Sequence, residues 1–145
     1  MDLKTRLLDR RRDGMAMVEM VMVLPVLLLL LFGIVEFGVV FGQWQTLTNA
    51  AREGAREAIV FRSGCVTTDV EADVLARVTN YAGAAGITVT GGNIVIAGTC
   101  GDNTTNSQVT VTHTYTFTVV PGFVASMAPT IDLVGTSTMR NEGNG

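Results

Sequence analysis

An α+β chain is the fold the sequence predicts: a long N-terminal helix, with a small antiparallel sheet and one short helix packed on its outer half. Three observations carry this expectation. Residues 15–42 read MAMVEMVMVLPVLLLLLFGIVEFGVVFG, in which Glu19 and Glu36 are the only polar side chains. The next stretch, QWQTLTNAAREGAREAIVFR, has no proline and a single glycine, Gly54, so it stays compatible with helix. From residue 63 onward threonine, valine and glycine dominate and long charged side chains thin out, and residues 108–120 alternate, the signature of a strand.

Composition narrows the function classes. With 48% hydrophobic and 16% charged residues over 145, the chain is too apolar to be disordered. Its charge is split: residues 1–13 hold five basic groups (Lys4, Arg6, Arg10, Arg11, Arg12) against three acidic ones, and the remainder holds five basic against ten acidic. An acidic body has no electrostatic footprint for nucleic acid, which excludes that partner. Two cysteines and one histidine do not supply a zinc site of the usual ligand sets.

The first element is the apolar stretch. A bilayer core takes about 20 apolar residues in a helix, and the inner half of the helix meets this, with a span over about residues 20–42. Because the basic residues all precede it, the N-terminus is expected in the cytoplasm and the remainder outside. A removable secretory signal would have a shorter apolar stretch and a small-residue cleavage site after it; FGQWQTLTN offers none, so the segment is read as retained. Glu19 and Glu36 then fall near the inner and outer interfaces, from which a carboxylate reaches water at low cost. Pro25 lacks an amide donor and should loosen the helix near its middle.

The junction RRRDG-MAMVE resembles the prepilin signal of type IV pilins and pseudopilins: a basic leader, Gly14, then an apolar helix with a glutamate at its fifth position. The resemblance implies that a membrane-embedded prepilin peptidase cuts after Gly14, that Met15 becomes the new N-terminus, and that Glu19 neutralises its amine in the same or an adjacent subunit. The longer stretch from Val18 to Phe61 is similar to the TadE/TadG-like family of tight-adherence (Flp, type IVc) pilus assembly proteins. The matching features are Glu19, Pro25, the segment GIVEFG with Glu36, and the block NAAREGAR over residues 49–56. The ending STMRNE over residues 137–142 also resembles the family's close. Major Flp pilins are far shorter and carry Glu-Tyr at the junction. Here Met20 follows Glu19 and a whole domain follows the helix, which points to a minor pseudopilin with a pilin-like fold. The chain divides accordingly into a leader (1–14), the N-terminal helix (15–62) and an exported domain (63–145). Expected partners are the prepilin peptidase, other pilins and pseudopilins, the pilus assembly platform and the bacterial inner membrane.

Beyond the membrane the helix is expected to run to Arg62, about 72 Å from Met15 at 1.5 Å per residue. Ala51, Ala55 and Ala58 line one stripe, with Gly54 beside them, and small residues at this spacing permit close backbone approach. Two uses stay open: packing against neighbouring pilin helices, or accommodating the protein's own sheet. Glu53 and Arg56 are one turn apart and suit an exposed pair. Trp44 suits an outer interfacial anchor.

In the exported domain, Thr68 and Glu71 have capping-box spacing for a helix running to about Ala82 and stopped by Gly83, with Val70, Val74, Leu75 and Val78 on its apolar face. Residues 87–90 and 93–97 read as a hairpin turned by Gly91-Gly92. Residues 108–120 alternate, with Val109, Val111, His113, Tyr115, Phe117 and Val119 on one side and threonines on the other. Residues 130–139 form a last strand. Cys65 and Cys100 lie on the exported side, where a bridge would persist and stabilise by about 3–4 kcal/mol; two buried free thiols are the alternative.

Catalytic chemistry finds no constellation. His113 alternates with apolar neighbours and reads as a core histidine. Asp69, Glu71 and Asp73 lack the glycine of a cation-binding loop, and Ser63 and Ser126 have no histidine partner by pattern. Neither a cofactor nor a metal is expected, and the chain does not read as an enzyme. The reading is a minor pseudopilin of a tight-adherence pilus, cleaved after Gly14 and assembled into the filament or priming it for adhesion. The alternative is an unprocessed, single-pass, membrane-anchored periplasmic binding or scaffold module, for which Gly14 and Glu19 would be dispensable.

Overall fold

The computed structural model describes residues 3–60, 66–99, 106–119, 122, 126 and 130–141, with only the backbone described before Gly14. The architecture is α+β. Helix α1 spans Leu3–Ile59, α2 spans Thr67–Ala84, and three strands follow: β1 (Ile94–Ala97), β2 (Asn106–Thr116) and β3 (Thr130–Arg140). The sheet is antiparallel in the order β1-β2-β3, with Ile94 opposite Val111 and, across the other ladder, Val111 opposite Gly135.

At 57 residues α1 is about 86 Å long. It begins at Leu3, passes through Gly14 and Pro25 without interruption, and stops at Ile59 rather than Arg62. Its outer half carries the domain. Leu47, Ala50, Ala51, Ala55 and Ala58 are fully buried in one core with Val70, Val74 and Val78 of α2, Val109 and Val111 of β2, and Leu133 of β3. The small-residue stripe is therefore used inside the chain. A Cβ built on Gly54 would lie 2.6 Å from Cγ2 of Val78, so this glycine lets α2 sit directly on α1. The Ala51, Gly54, Ala55 and Ala58 face has no surface left for a neighbouring helix while the domain is docked.

Several local expectations are corrected. The N-cap of α2 is Val66, in an extended conformation and without a side-chain cap; its carbonyl accepts from the amides of Asp69 and Val70. Thr68 already lies in the first helical turn, where a capping box cannot form. The helix runs past Gly83 to Ala84. It closes on Gly86 at φ +76°, with Ile87 N–H donating to Ala82 O and Gly86 N–H to Gly83 O, a Schellman closure. Residues 87–90 do not form a strand. Ile87 and Val89 enter the core as an unpaired extended segment, and Gly91–Asn93 make a 3₁₀ turn sutured to β2 by the Asn93 side chain, which donates to Thr112 O at 3.2 Å. The hairpin partner of β1 is β2. Glu53 pairs across the helices with Arg77 at 3.4 Å, not with Arg56, which adds an α1–α2 link where an i,i+3 pair was expected.

The alternation along β2 and β3 places Ser107, Val109, Val111, Tyr115, Leu133 and Gly135 inside, with His113 half-buried. The outer face carries polar cross-strand pairs, among them Thr110–Thr136 and the 2.6 Å bond from Thr114 to Asp132. At the far end of the sheet a buried polar cluster ties Asn141 to the Ser107 hydroxyl and to Thr99 O. Cys65 and Cys100 lie outside the described residues, as does the end of the 137–142 segment.

Candidate functional site

The site is the place where α1 leaves its bare apolar half and enters the domain. From Gly14 to Val35 nearly every side chain is exposed, and the helix is long and apolar enough here to cross a membrane. Burial begins at one residue, Glu36, which is 2% exposed.

Three donors converge on the Glu36 carboxylate. The Tyr115 hydroxyl donates to Oε1 at 2.5 Å, the Thr118 amide to Oε1 at 3.1 Å, and the Val119 amide to Oε2 at 2.6 Å. An ionised carboxylate accepts such bonds more strongly than a neutral carbonyl would. The β2–β3 ladder ends at the Thr116–Thr130 pair, and the amides of Thr118 and Val119 beyond it bond the helix. Glu36 is thus not a carboxylate reaching for water at a membrane interface. Its solvation is replaced by donors from the chain's own sheet.

Tyr115 is held in turn. Its ring meets Phe117 edge-on with centroids 5.8 Å apart, and burial pushes its phenol above the ordinary value of 10.0, with the hydrogen bond to Glu36 adding to the rise. Further along α1, Trp44 Nε1 donates to Val134 O of β3 at 3.1 Å. One turn on, Gly135 presses against the helix backbone; a Cβ there would lie 2.6 Å from the Leu47 carbonyl. Glu36, Trp44, Leu47 and Gly54 form a line of docking points along about 27 Å of helix.

The other expected site residues lie apart from this cluster. Gly14 and Met15 are exposed, and a Cβ on Gly14 would meet nothing. Glu19 is exposed among Ala16, Met20, Val23, Leu24 and Leu27 on one helix face, about 26 Å along α1 from Glu36. Pro25 sits between them within the continuous helix. Among the described residues no group of three or more His, Cys, Asp or Glu side chains is arranged to hold a metal. Sequence reasoning missed Tyr115 and the 118–119 amides as partners of Glu36. The signal lay in the helix: Glu36, Val40, Gln43, Leu47, Ala50 and Gly54 recur at spacings of three and four, so the buried face of the outer helix begins at the glutamate.

Comparison with known proteins places a family on this same helix. Residues 14–56 match the model of the TadE-like protein family, from the glycine of the junction to the end of the NAAREGAR block. The match covers less than a third of the chain and stops before the end of α1. Comparison with curated proteins gave no match, and neither did comparison with solved structures.

Proposed function

We propose, from the TadE-like character of residues 14–56 as premise, that the chain is a minor pseudopilin of a tight-adherence pilus. In this reading the prepilin peptidase cuts after Gly14, and Met15 carries the new amine. Glu19 neutralises that amine in the same or an adjacent subunit, since an unpaired charge at this depth is costly. The exposed apolar helix crosses the inner membrane with its basic leader in the cytoplasm, and the sheet domain stands on the periplasmic side, bridged between Cys65 and Cys100. Its role is structural rather than catalytic: it enters or primes the filament through other pilins, pseudopilins and the assembly platform. The observation that supports this most directly is the bare helix from residue 14 to 35, ending where the domain closes on Glu36.

A second reading is an unprocessed single-pass anchor, and the continuity of α1 from Leu3 through Gly14 speaks for it. Intact mass and N-terminal sequencing of the membrane-extracted protein, with and without its prepilin peptidase, decide between them. A start at Met15 that depends on the peptidase is the expected result. A start at Met1 in both strains would give the anchor precedence.

A further inference from the structure

Beside the buried face of α1, turned about a quarter of the way round the helix, three aromatic rings stay outside. Phe37, Phe41 and Trp44 are 70%, 46% and 43% exposed. They follow at i, i+4 and i+7 in ring contact: Phe37 stacks on Phe41 with centroids 6.2 Å apart, and Phe41 meets Trp44 at a tilt with centroids 5.8 Å apart. The stripe is continuous with the apolar surface of residues 15–35, and past it the exposed helix turns polar with Gln45, Asn49 and Arg52. Apolar chains, then aromatic rings, then polar side chains is the order in which a bilayer passes from acyl core to headgroups.

We propose that this stripe rests in the outer leaflet of the membrane that α1 crosses, and that Trp44 couples the domain to the bilayer surface. The inference relies on the membrane-spanning reading above. The exposed apolar surface ends at different heights around the helix: at Val39 on the side opposite the rings, and at Trp44 on the side of the rings. A tilt toward the rings brings both ends to the same level, and membrane helices are tilted by about 20° on average. The indole settles the rest. Its face stays exposed for lipid while its N–H is taken by Val134 O of β3, so the ring that contacts the leaflet also holds the edge of the sheet. The seating of the rings therefore sets the height and rotation of the whole domain.

Trp44 is the single tryptophan of the chain, so it reports its own surroundings. The full chain is reconstituted at high dilution into phosphatidylcholine vesicles containing lipid brominated either near the carbonyl end of its acyl chains or near their methyl end. Retention in the vesicles through alkaline carbonate washing is measured on the same samples. The expected result is a carbonate-resistant chain with blue-shifted tryptophan emission, quenched more by the shallow bromines than by the deep ones. In a Phe37→Ser/Phe41→Ser variant the emission shifts to the red and the shallow quenching falls, while carbonate resistance is kept. A resistant chain whose Trp44 escapes both quenchers overturns the inference and leaves the spanning helix standing. Emission that turns blue only as the chain density rises overturns it in favour of a second copy covering the rings. A chain released by carbonate overturns the spanning reading and the inference together.

Discussion

Tyr115 donates its phenolic hydrogen to Glu36 at 2.5 Å, joining two residues 79 positions apart and closing the end of the sheet onto the helix where its bare apolar half stops. Two backbone amides join the hydroxyl at the same carboxylate, which holds the domain on α1 and marks its lower edge.

Replacing Glu36 by alanine strands the buried Tyr115 hydroxyl and leaves the part-buried amides of Thr118 and Val119 without their acceptor, at about 1–3 kcal/mol for each buried group left unsatisfied. The expected outcome is a loss of about 3 kcal/mol or more in denaturant unfolding in detergent micelles, with Glu36→Gln losing less because its amide oxygen still accepts. Equal stability of Glu36→Ala and the parent would show that the cage contributes nothing.

Alkaline pH should loosen the same contact. The folded protein holds the Tyr115 phenol above its ordinary value of 10.0, so the phenol's contribution is fully present below that pH and is lost as pH rises through the higher folded value. Ultraviolet titration of tyrosinate in a Tyr81→Phe background should give a raised midpoint for Tyr115, and Glu36→Gln should bring it down. A Tyr115 midpoint at 10 in the parent would contradict the buried hydrogen bond.

Gly135 and Gly54 both lack room for a methyl group, but the obstacles differ. At Gly135 it is the helix backbone at Leu47, which cannot step aside; at Gly54 it is Cγ2 of Val78, a side chain that can shift by small adjustments of α2. Overpacking costs about 1–3 kcal/mol, so Gly135→Ala is expected at the upper end and Gly54→Ala below it. Thermal unfolding of the two variants measures the order; Gly54→Ala as the worse of the two would mean that α2 is the more rigid partner.

At Gly14 an added methyl meets nothing, and alanine favours a helix interior by about 1 kcal/mol over glycine. Gly14→Ala should therefore be made, folded and inserted like the parent. On the proposed processing after Gly14, this variant is expected to lose the peptidase-dependent mass shift, because alanine favours the helix and resists the extended form a peptidase would bind. Glu19→Ala should still be cleaved and inserted, and should fail to enter filaments in a shear-fraction assay. Normal filament entry of Glu19→Ala would remove the glutamate from the assembly step.

Much of the architecture is legible in local pattern. Uninterrupted apolarity from Met20 to Val35, alternation along Val109, Val111 and Tyr115, and the four-residue spacing of Val70, Val74 and Val78 each declare an element without reference to any other. Helix and strand periods are properties of neighbouring residues, so a linear reading recovers them. Boundaries are less legible because partners set them. The alternation of β2 continues beyond Thr116, yet the strand stops there and the amides of Thr118 and Val119 go to Glu36. The Gly91-Gly92 pair looks like a hairpin turn, yet residues 87–90 lie unpaired in the core while β1 finds β2.

What the sequence determined by itself is the long helix, its exposed apolar half, the small sheet and the TadE-like junction: contiguous features whose physics is local hydropathy, period and spacing. What only the tertiary structure decided is the use of particular residues. Glu36 reads alone as a charge reaching for water and becomes a buried acceptor, because Tyr115 and two amides arrive from far along the chain to replace its hydration. The Ala51, Gly54, Ala55 and Ala58 stripe fits a foreign helix as well as its own domain until α2 and β2 are seen lying on it. Free energy of burial depends on which surfaces meet, and that is settled by contacts between residues that no local window contains.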